Sequence, residues 1–532
     1  MSTALPLAGD FGHRVPSPAS KYQEIAELQE LKRQGNASFR AGQYADAIRT
    51  YELGYQEAVR REDKRAALRF LNNLGSADYQ LLRYRDAIRA YLQAKELAIS
   101  QLDRETLAAV YFNLSSLYYQ MGEIDAATES AERGLELPPG VTAKFRSKLL
   151  IQSALLQMRQ RKWDRAIVGL RQAIDLARAQ RDVSVEAQAW NELGSALVEC
   201  GRLSAAEEPL LESFRLRNLT HDERLHFSYV SLGQLRLLQN DPEAARIFFD
   251  KAVQSAVSSG PLAVWRPLYE RGRANLAGSH LEAAYADFGA SLKSLKAARP
   301  EVLPADAFRV GWEVEQHEVY SAYIELAAQL YRQTGRRRYA SESFAAAEDS
   351  RAASLRTLWL ESGMTRELPG DYRQTLAALQ EAESASAGDV SDMGKIRRLR
   401  LKLLEAQAVA ALELPSALQD PDLPLTEFLE RTRRALGPDE LFIGFHAGDS
   451  ESCLWAITRD AFEFRALPPR TDLDRDITAF VKAVRENSSS AYVLGRHLYE
   501  RLFGGISPAL QQQPTWVLAP DGPLFDLPFA AL

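Results

Sequence analysis

Two cysteines and seven histidines are the residues whose types could support nucleophilic or metal chemistry. Cysteine catalysis needs an imidazole within hydrogen-bond reach of the thiol. His446 and Cys453 flank one predicted hairpin turn, but Cys453 opens an apolar strand, and we expect it to pack within a sheet. Cys200 lies beside Gly201 at the end of a predicted helix, where we expect it to fill a small apolar space. The sequence therefore predicts no catalytic thiol–imidazole pair among these residues.

The remaining histidines stand apart from other side chains that could bind a metal. His497 falls in an amphipathic helix, where packing or surface exposure is expected. The others are His13, His221, His226, His280 and His317. None has the spacing from cysteines or acids that is typical of zinc ligands. The distant cysteines favour a reducing compartment without disulfides, and no glycine-rich phosphate loop occurs, so we expect no metal and no cofactor.

A spacing of 39 or 40 residues organises most of the chain. One slot holds a small residue: Gly35, Gly75, Ser115, Ala154, Gly194, Gly233 and Gly272. Twelve places later stands an alanine: Ala47, Ala87, Ala127, Ala166, Ala206, Ala245 and Ala284. Four places further comes a large residue: Tyr51, Tyr91, Leu170, Leu210, Phe249 and Phe288, with Ala131 as the exception. Small residues at a helix crossing let two backbones approach, so the pattern predicts repeated antiparallel helix pairs.

This spacing resembles the tetratricopeptide repeat. An eighth copy fits if Ala328, Ala340 and Phe344 fill the same slots after an insertion. The period exceeds the usual one of about 34 residues, so we expect each helix to be about one turn longer. The resemblance implies an α-helical solenoid, an α–α superhelix of about eight repeats over residues 23–360. The prolines and glycines near the start predict a disordered lead at 1–22. The groove of such a solenoid binds a protein or peptide partner.

Polar residues on the first helices of this predicted groove are candidates for peptide binding. Lys32 and Asn36 lie in a segment that resembles the opening repeat of chaperone-tail-binding tetratricopeptide domains, where a Lys and an Asn grip a terminal carboxylate. Asn73 matches the Asn of the second repeat, but Ala109 and Asn113 replace the Lys and Arg of the third. Without those charges a terminal carboxylate loses much of its charge-assisted hydrogen bonding. The alternative is that these side chains are solvated groove residues.

Composition and charge argue against several classes of function. Charged residues make up 26% of the chain and apolar residues 46%, as in ordinary globular proteins. A net charge of −6 implies no general affinity for nucleic acids or membranes. The basic run at 397–402 favours the outer face of a helical hairpin over a nucleic-acid patch, because leucines interleave with it and no aromatic residue does. No stretch of about 18 apolar residues occurs, so we expect no membrane span and a cytoplasmic protein.

The apolar period changes from 3.6 to 2 near Gly437. Residues 361–437 are expected to form a helical linker. Three antiparallel strands are predicted at 441–445, 453–458 and 462–467, followed by helices at 472–485 and 491–510. The apolar run 515–520 is expected to be a strand covered on both faces. This order predicts an incomplete α/β domain at the carboxyl end.

The last part of the sequence resembles the opening half of a CHAT domain, a caspase-like peptidase domain found behind tetratricopeptide arrays in bacteria. The specific segments are Pro-Asp-Gly-x-Leu at 520–524 and Leu-Pro-Phe-x-x-Leu at 527–532. The alanine-rich helix at 344–358 also resembles the junction before that domain. The resemblance implies that residues 438–532 are the amino-terminal part of a cysteine endopeptidase domain of the caspase and separase clan. The family's catalytic His and Cys lie beyond the matched segment, so we expect this chain to be inactive as it stands.

Two hypotheses about function remain open at this point. In the first, the solenoid recognises a protein partner and regulates the peptidase domain that the resemblance implies. In the second, the chain is a non-enzymatic scaffold that binds peptides or partner helices, and the α/β part is a degenerate docking module. The oligomeric state is left open by the sequence.

Overall fold

The computed structural model describes residues 18–81, 83–257, 261–297, 306–362, 370–385, 393–409 and 425–532. The amino-terminal helices are α1 (Pro18–Arg40), α2 (Tyr44–Arg60), α3 (Lys64–Gln80), α4 (Tyr84–Ser100), α5 (Arg104–Gln120), α6 (Ile124–Glu136), α7 (Pro139–Arg159) and α8 (Trp163–Ala179). They are followed by α9 (Val183–Glu199), α10 (Leu203–Leu219), α11 (Leu225–Leu238), α12 (Pro242–Ala256), α13 (Pro261–Ala277), α14 (Leu281–Ala297), α15 (Asp306–Thr334) and α16 (Arg337–Ser362). The first helix begins at Pro18, inside the predicted disordered lead, and residues 1–17 of that lead lie outside the described residues.

Residues with left-handed backbone conformations separate several of the helices. Gly42, Gly122 and Gly201 have φ angles of +73°, +79° and +79°, a conformation that glycine adopts without a steric penalty. Asn240 has a φ of +67° just before Asp241, whose side chain accepts a 3.0 Å hydrogen bond from the backbone N–H of Ala244. This bond caps the first turn of α12. α2, α3 and α4 are each 17 residues long, and with the short turns between them they give a period of 40 residues. α6, α11 and α12 are shorter, with 13, 14 and 15 residues, and α7 is longer, with 21.

The predicted contact between small and large residues holds the helix pairs together. A Cβ atom added to Gly75 would lie 2.7 Å from the ring of Tyr91. Ala87 is fully buried where α3 and α4 meet, as the spacing predicts. Equivalent close approaches occur at Gly35 with Tyr51, Gly194 with Leu210, Gly233 with Phe249 and Gly272 with Phe288. The prediction of repeated helix pairs is therefore confirmed at the level of individual contacts.

The copy that departs from the pattern uses a hydrogen bond in place of a large side chain. Ser115 occupies the small slot, and its hydroxyl donates to the backbone carbonyl of Ala127 at 2.7 Å. The large slot of the same copy holds Ala131, which is buried. The residues assigned to an eighth copy, Ala328, Ala340 and Phe344, are all fully buried in α15 and α16.

The chain forms two compact units. The first unit comprises Met1–Tyr119, Ile124–Leu156 and Pro369–Ala411, and the second comprises Gln120–Glu123, Gln157–Leu368 and Leu412–Leu532. Each unit therefore contains part of the helix-pair series. The boundary falls inside α7, and the sequence pattern gives no indication of it.

The predicted linker is helical where it is described, with α17 (Gly370–Ala385), α18 (Met393–Val409) and α19 (Leu425–Ala435). The hairpin of α17 and α18 belongs to the first unit and packs against α4. Lys95 of α4 forms an ion pair with Glu405 of α18 at 2.9 Å. Within the hairpin, Leu399 packs against a small apolar core and Arg398 is exposed, in agreement with the expected solvated face of a hairpin.

A four-stranded sheet follows α19 in the second unit. Its strands are β1 (Glu440–His446), β2 (Ser452–Ile457), β3 (Phe462–Leu467) and β4 (Thr515–Ala519). The helices α20 (Arg470–Arg485), α21 (Ser490–Phe503) and α22 (Pro508–Gln511) lie between β3 and β4 in sequence. The sheet order is β3-β2-β1-β4, with β1, β2 and β3 antiparallel as predicted and β4 parallel to β1.

Opposite faces of the sheet pack against different helices. Ile443, Phe445 and Leu454 lie in one core with residues of α20 and α21. On the other face, Trp455 packs edge-on against Phe344 of α16, with ring centroids 5.9 Å apart. The last helix pair of the series thus forms part of the core of the sheet.

The expectation that β4 is covered on both faces is wrong. Trp516 packs against Phe503 of α21, with ring centroids 5.2 Å apart, but Val517 on the opposite face is 40% exposed. The reason is topological, because β4 lies at the edge of the sheet and pairs with β1 alone among the described strands. A continuous apolar run does not by itself reveal whether a strand is central or peripheral.

Candidate functional site

The predicted peptide-binding residues lie on the first helices of the first three pairs, in the first unit. Lys32 and Asn36 are on α1, Asn73 is on α3 and Asn113 is on α5, and all four are half-buried. The Nδ2 atom of Asn73 donates to Oδ1 of Asn36 at 3.2 Å. The hydroxyl of Tyr51 donates to the same oxygen at 2.8 Å. Two of the predicted residues are therefore in direct contact, in a geometry fixed by a tyrosine of the adjacent helix.

Asn113 belongs to a different hydrogen bond. Its Nδ2 atom donates to Oδ1 of Asn72, the neighbour of Asn73, at 3.0 Å. One repeat further on, the hydroxyl of Ser116 donates to Oε1 of Gln152 on α7 at 3.4 Å. Polar side chains thus link α1 to α3, α3 to α5, and α5 to α7. We call this series the amide ladder.

Positive charge surrounds the first rung of the amide ladder. Burial, and after it repulsion from Arg69 and Lys144, lowers the pKa of Lys32. Arg69 on α3 and Lys144 on α7 are exposed. Sequence reasoning missed both, because it sought cations only at the third-repeat positions that Ala109 and Asn113 fill. The available signal was the spacing of Arg69 and Asn73, which is the same four-residue step as that of Lys32 and Asn36.

A second polar cluster lies in the second unit, at the carboxyl ends of β1 and β4. His446 is almost fully buried, with its Nδ1 atom 3.4 Å from Oδ2 of Asp521. Its Nε2 atom is 3.1 Å from the hydroxyl of Ser321 on α15. Burial tends to raise the pKa of Asp521. Hydrogen bonds from His446 and from the backbone N–H of Ala447 have the larger combined effect and lower the pKa of Asp521 to about 2.

Ser321, His446 and Asp521 are in contact in the same spatial sequence as the residues of a hydrolase triad, in which the serine hydroxyl gives its proton to the imidazole. The Ser321 hydroxyl also lies 2.8 Å from Oε1 of Glu325, which competes with the imidazole for the single hydroxyl proton. These contacts connect α15 to the sheet.

The cysteines and the other histidines take no part in a catalytic pair among the described residues. Cys453 lies opposite His446 in the β1–β2 ladder and is fully buried. Burial raises the pKa of the Cys453 thiol well above its usual value, which disfavours a reactive thiolate. Cys200 is half-buried instead of enclosed, with its sulfur 3.5 Å from the carbonyl of Leu197. His497 is exposed, as expected.

Within the described ranges, no group of three or more His, Cys, Asp or Glu side chains is arranged to hold a metal ion. The same ranges contain no helix with the length and apolar character that a membrane crossing requires.

Comparison with protein families identifies one repeat directly. A family model described as tetratricopeptide repeat matches residues 108–140, which span most of α5 and all of α6. The chain therefore contains a tetratricopeptide repeat within its series of helix pairs. A comparison with curated proteins found no match.

Several solved structures are similar to parts of the chain. BtubC (BKLC) from P. vanneervenii is 20% identical, with a TM-score of 0.33, over 43% of this chain and 92% of that one. The apo form of RapI is 11% identical, with a TM-score of 0.39, over 73% of this chain and 99% of that one. The TPR2AB domain of yeast Sti1, in its complex with pHSP90, is 16% identical, with a TM-score of 0.20, over 50% of this chain and 99% of that one.

Proposed function

We propose that the chain is a protein-interaction solenoid whose first helices bind an extended peptide segment of a partner protein. The observation that carries this proposal is the amide ladder, which places Asn36, Asn73 and Asn113 on successive first helices of the series. Side-chain amides both donate and accept hydrogen bonds, so they suit the alternating N–H and C=O groups of an extended backbone. Lys32 lies one helical turn before Asn36 and adds a cation to the same face.

Selection of peptides from a random library on the intact chain tests this function. Selected peptides should bind with micromolar affinity, and Asn73→Ala should weaken binding by about tenfold, because an interfacial hydrogen bond is lost. Arg49→Ala is the matched control, since Arg49 is an exposed residue of a second helix that pairs with Asp46. Failure to select any peptide, or equal losses in both variants, would refute groove binding.

We further propose that this solenoid, residues 23–360, regulates a caspase-like peptidase domain through the helices of residues 361–437. Residues 438–532 would then be the amino-terminal part of a CHAT domain in a bacterial cysteine protease. The segments at 520–524 and 527–532 support this assignment through their resemblance to that family. The core shared by α16 and the sheet supports the proposed regulation physically, because a movement of the last helix pair would displace the side chains packed against β2.

A non-enzymatic scaffold is the second candidate function. It is favoured by the burial of Cys453 and by the absence of a thiol–imidazole pair among the described residues. A thiol-reactive activity probe applied to the full gene product separates the two. Labelling of a single cysteine other than Cys200 and Cys453, abolished by replacement of one histidine, would exclude the scaffold. Absence of such labelling in the presence of a bound partner would exclude the protease.

A further inference from the structure

The ring of His446 is enclosed between α15 and the loop that follows β4, in the second unit. The residue stands at the end of β1 and is 5% exposed. Its Nδ1 atom lies 3.4 Å from Oδ2 of Asp521, and its Nε2 atom lies 3.1 Å from the hydroxyl of Ser321. A neutral imidazole donates through only one of its two nitrogens. The number of protons on the ring therefore follows from what these two neighbours can donate or accept.

The hydroxyl proton of Ser321 is donated to Glu325, one helical turn further along α15. The hydroxyl lies 2.8 Å from Oε1 of that carboxylate. The same carboxylate accepts hydrogen bonds from the backbone N–H groups of Asp449 and Ser450, at 3.3 and 3.0 Å, and from the hydroxyl of Ser450. These donors favour an ionised carboxylate, which is a stronger acceptor than a neutral imidazole nitrogen. The Ser321 oxygen therefore presents a lone pair to His446.

Both nitrogens of the His446 ring thus face acceptors. Burial tends to raise the pKa of Asp521, but hydrogen bonds from His446 and the backbone N–H of Ala447 lower it to about 2. A carboxylate in this state has no proton to donate. Two acceptors are satisfied together only by a ring with two N–H groups, which is the positively charged imidazolium. Asp521 supplies the counter-charge that a buried cation requires.

A second histidine stands beside this ring and carries no charge at pH 7. The ring centroids of His317 on α15 and His446 are 6.3 Å apart. Partial burial, and after it repulsion from His446, lowers the pKa of His317, so only one of the two rings is a cation at pH 7. The titratable or charged groups around the pair are Glu325 on α15, Arg351 on α16, Asp449 in the β1–β2 turn, Cys453 on β2, Arg470 at the start of α20, and Asp521.

We propose that His446 is a proton-dependent latch between the last helix pair and the sheet, in which the imidazolium is the closed form and loss of its Nε2 proton to solvent redirects the Ser321 hydroxyl from Glu325 to His446. After this loss the ring keeps its Nδ1–H bond to Asp521. The hydroxyl must then donate to Nε2, because two lone pairs would otherwise be in contact. Glu325 loses the hydroxyl that orients its carboxylate toward the backbone N–H groups of the β1–β2 turn.

The direction of the pH dependence follows from where the proton is bound. The closed form holds one proton more than the open form, so it is favoured at lower pH and is lost as the pH rises through the titration of the ring. Its lower limit is the protonation of Asp521, whose pKa is about 2. The latch is a property of the second unit and goes beyond both peptide binding and the proposed peptidase assignment.

Nitrogen NMR of the intact chain with isotopically labelled histidine tests the charge of the ring. The variant His446→Gln identifies the signal by its disappearance. At the pH where exposed His497 has lost half of its charge, both ring nitrogens of His446 should still carry protons, whereas the ring of His317 should be neutral. A His446 ring with a single protonated nitrogen under these conditions would overturn the proposal.

Glu325→Gln separates the latch from a simple ion pair with Asp521. A neutral amide is the weaker acceptor, so the Ser321 hydroxyl becomes free to donate to His446, and the ring should bind its proton about tenfold more weakly. Glu318→Gln is the matched control, since Glu318 is exposed on the same helix, and it should change proton binding by less than about twofold. Equal effects of the two variants, or no effect of either, would mean that Glu325 does not set the charge of His446.

Ser321→Ala gives the same test if Glu325→Gln does not fold, which circular dichroism checks. It removes the lone pair that faces Nε2, so proton binding by His446 should again weaken by about tenfold. Hydrogen exchange then measures the effect on the turn. Relative to His446→Gln at each pH, the N–H groups of Asp449 and Ser450 in the wild type should lose protection as the ring loses its proton, by about fivefold. Protection that does not follow this titration would rule out the latch.

Discussion

The Nδ1 atom of His446 lies 3.4 Å from Oδ2 of Asp521, and this contact joins the end of β1 to the loop that follows β4. The same carboxylate oxygen accepts a 2.8 Å hydrogen bond from the backbone N–H of Ala447. Because Ser321 of α15 contacts the other ring nitrogen, one imidazole links a helix of the series to two parallel strands. The contact between β1 and the loop after β4 therefore depends on the ionisation of Asp521.

Asp521→Asn should lower the free energy of unfolding at pH 7 by roughly 2 kcal/mol, because the pKa of Asp521 is lowered to about 2 in the folded chain. A lowered folded-state pKa gives stability that is complete above the unfolded-state pKa, near 4, and is lost as the pH falls toward 2. The difference between wild type and variant should therefore shrink between about pH 4 and pH 2. Urea denaturation at several pH values measures it.

Asp526→Asn is the control for this experiment, since Asp526 is exposed on the segment that follows Asp521. It should leave stability unchanged at every pH. A constant difference between wild type and Asp521→Asn down to about pH 2 would contradict the assigned role of the carboxylate.

Gly75→Ala should destabilise the chain by about 1–3 kcal/mol, because the new methyl group would overlap the ring of Tyr91. Gly140→Ala in α7 is the matched control, since a Cβ atom there would have nothing within 4 Å. Alanine favours helix over glycine by up to about 1 kcal/mol, so the control should be neutral or slightly stabilising. Thermal unfolding compares the two, and equal effects would mean that close approach at Gly75 does not hold the pair together.

Ser343→Ala should cost about 1–3 kcal/mol, because the buried indole N–H of Trp455 would lose its 3.1 Å hydrogen bond to the Ser343 hydroxyl. Trp455→Phe removes the donor as well. In the double variant, the further cost of Ser343→Ala should nearly vanish, which a double-mutant cycle by urea denaturation would measure. Additive losses would show that this bond does not connect α16 to β2.

Lys95→Glu should loosen the α17–α18 hairpin, because it places two carboxylates where Lys95 and Glu405 now form an ion pair. The pair is partly exposed, so the effect should be modest, about 0.2–1 kcal/mol, and smaller at high salt. Hydrogen exchange of α18 measures it. The charge-swapped double variant, Lys95→Glu with Glu405→Lys, should restore protection, and failure to do so would mean that the hairpin is held by apolar contacts alone.

The helix pairs were predictable because most copies repeat one contact. The close approach of Gly75 to Tyr91 recurs at Gly35, Gly194, Gly233 and Gly272, while the copy with Ser115 and Ala131 uses a hydrogen bond instead. The strands β1, β2 and β3 were predictable because their apolar residues alternate between short turns. The burial of β4 was mispredicted, because an apolar run looks the same in an edge strand as in a central strand.

The candidate site was predicted only in part, because its positive charges lie at positions where the family template has none. Asn36 and Asn73 do form the hydrogen bond that joins the first two repeats. The cation near Lys32 is Arg69, which lies four residues before Asn73 in the second repeat, whereas the family template places its cations in the third repeat. The pairing of Lys95 with Glu405 spans 310 residues, and no local pattern indicates which distant helix a hairpin will contact.

The recurring fit of a glycine against an aromatic or leucine side chain has a consequence for how such a gene can change. Because each helix pair repeats the same small-residue pattern, duplication or excision of a 39- or 40-residue segment would place compatible helix pairs next to each other. A segment of another length would misalign the small and large residues of adjacent helices. The longer interval before Ala328 coincides with a longer first helix, since α15 has 29 residues where α13 and α14 have 17 each. Evolution of partner preference can therefore proceed by adding or losing whole modules.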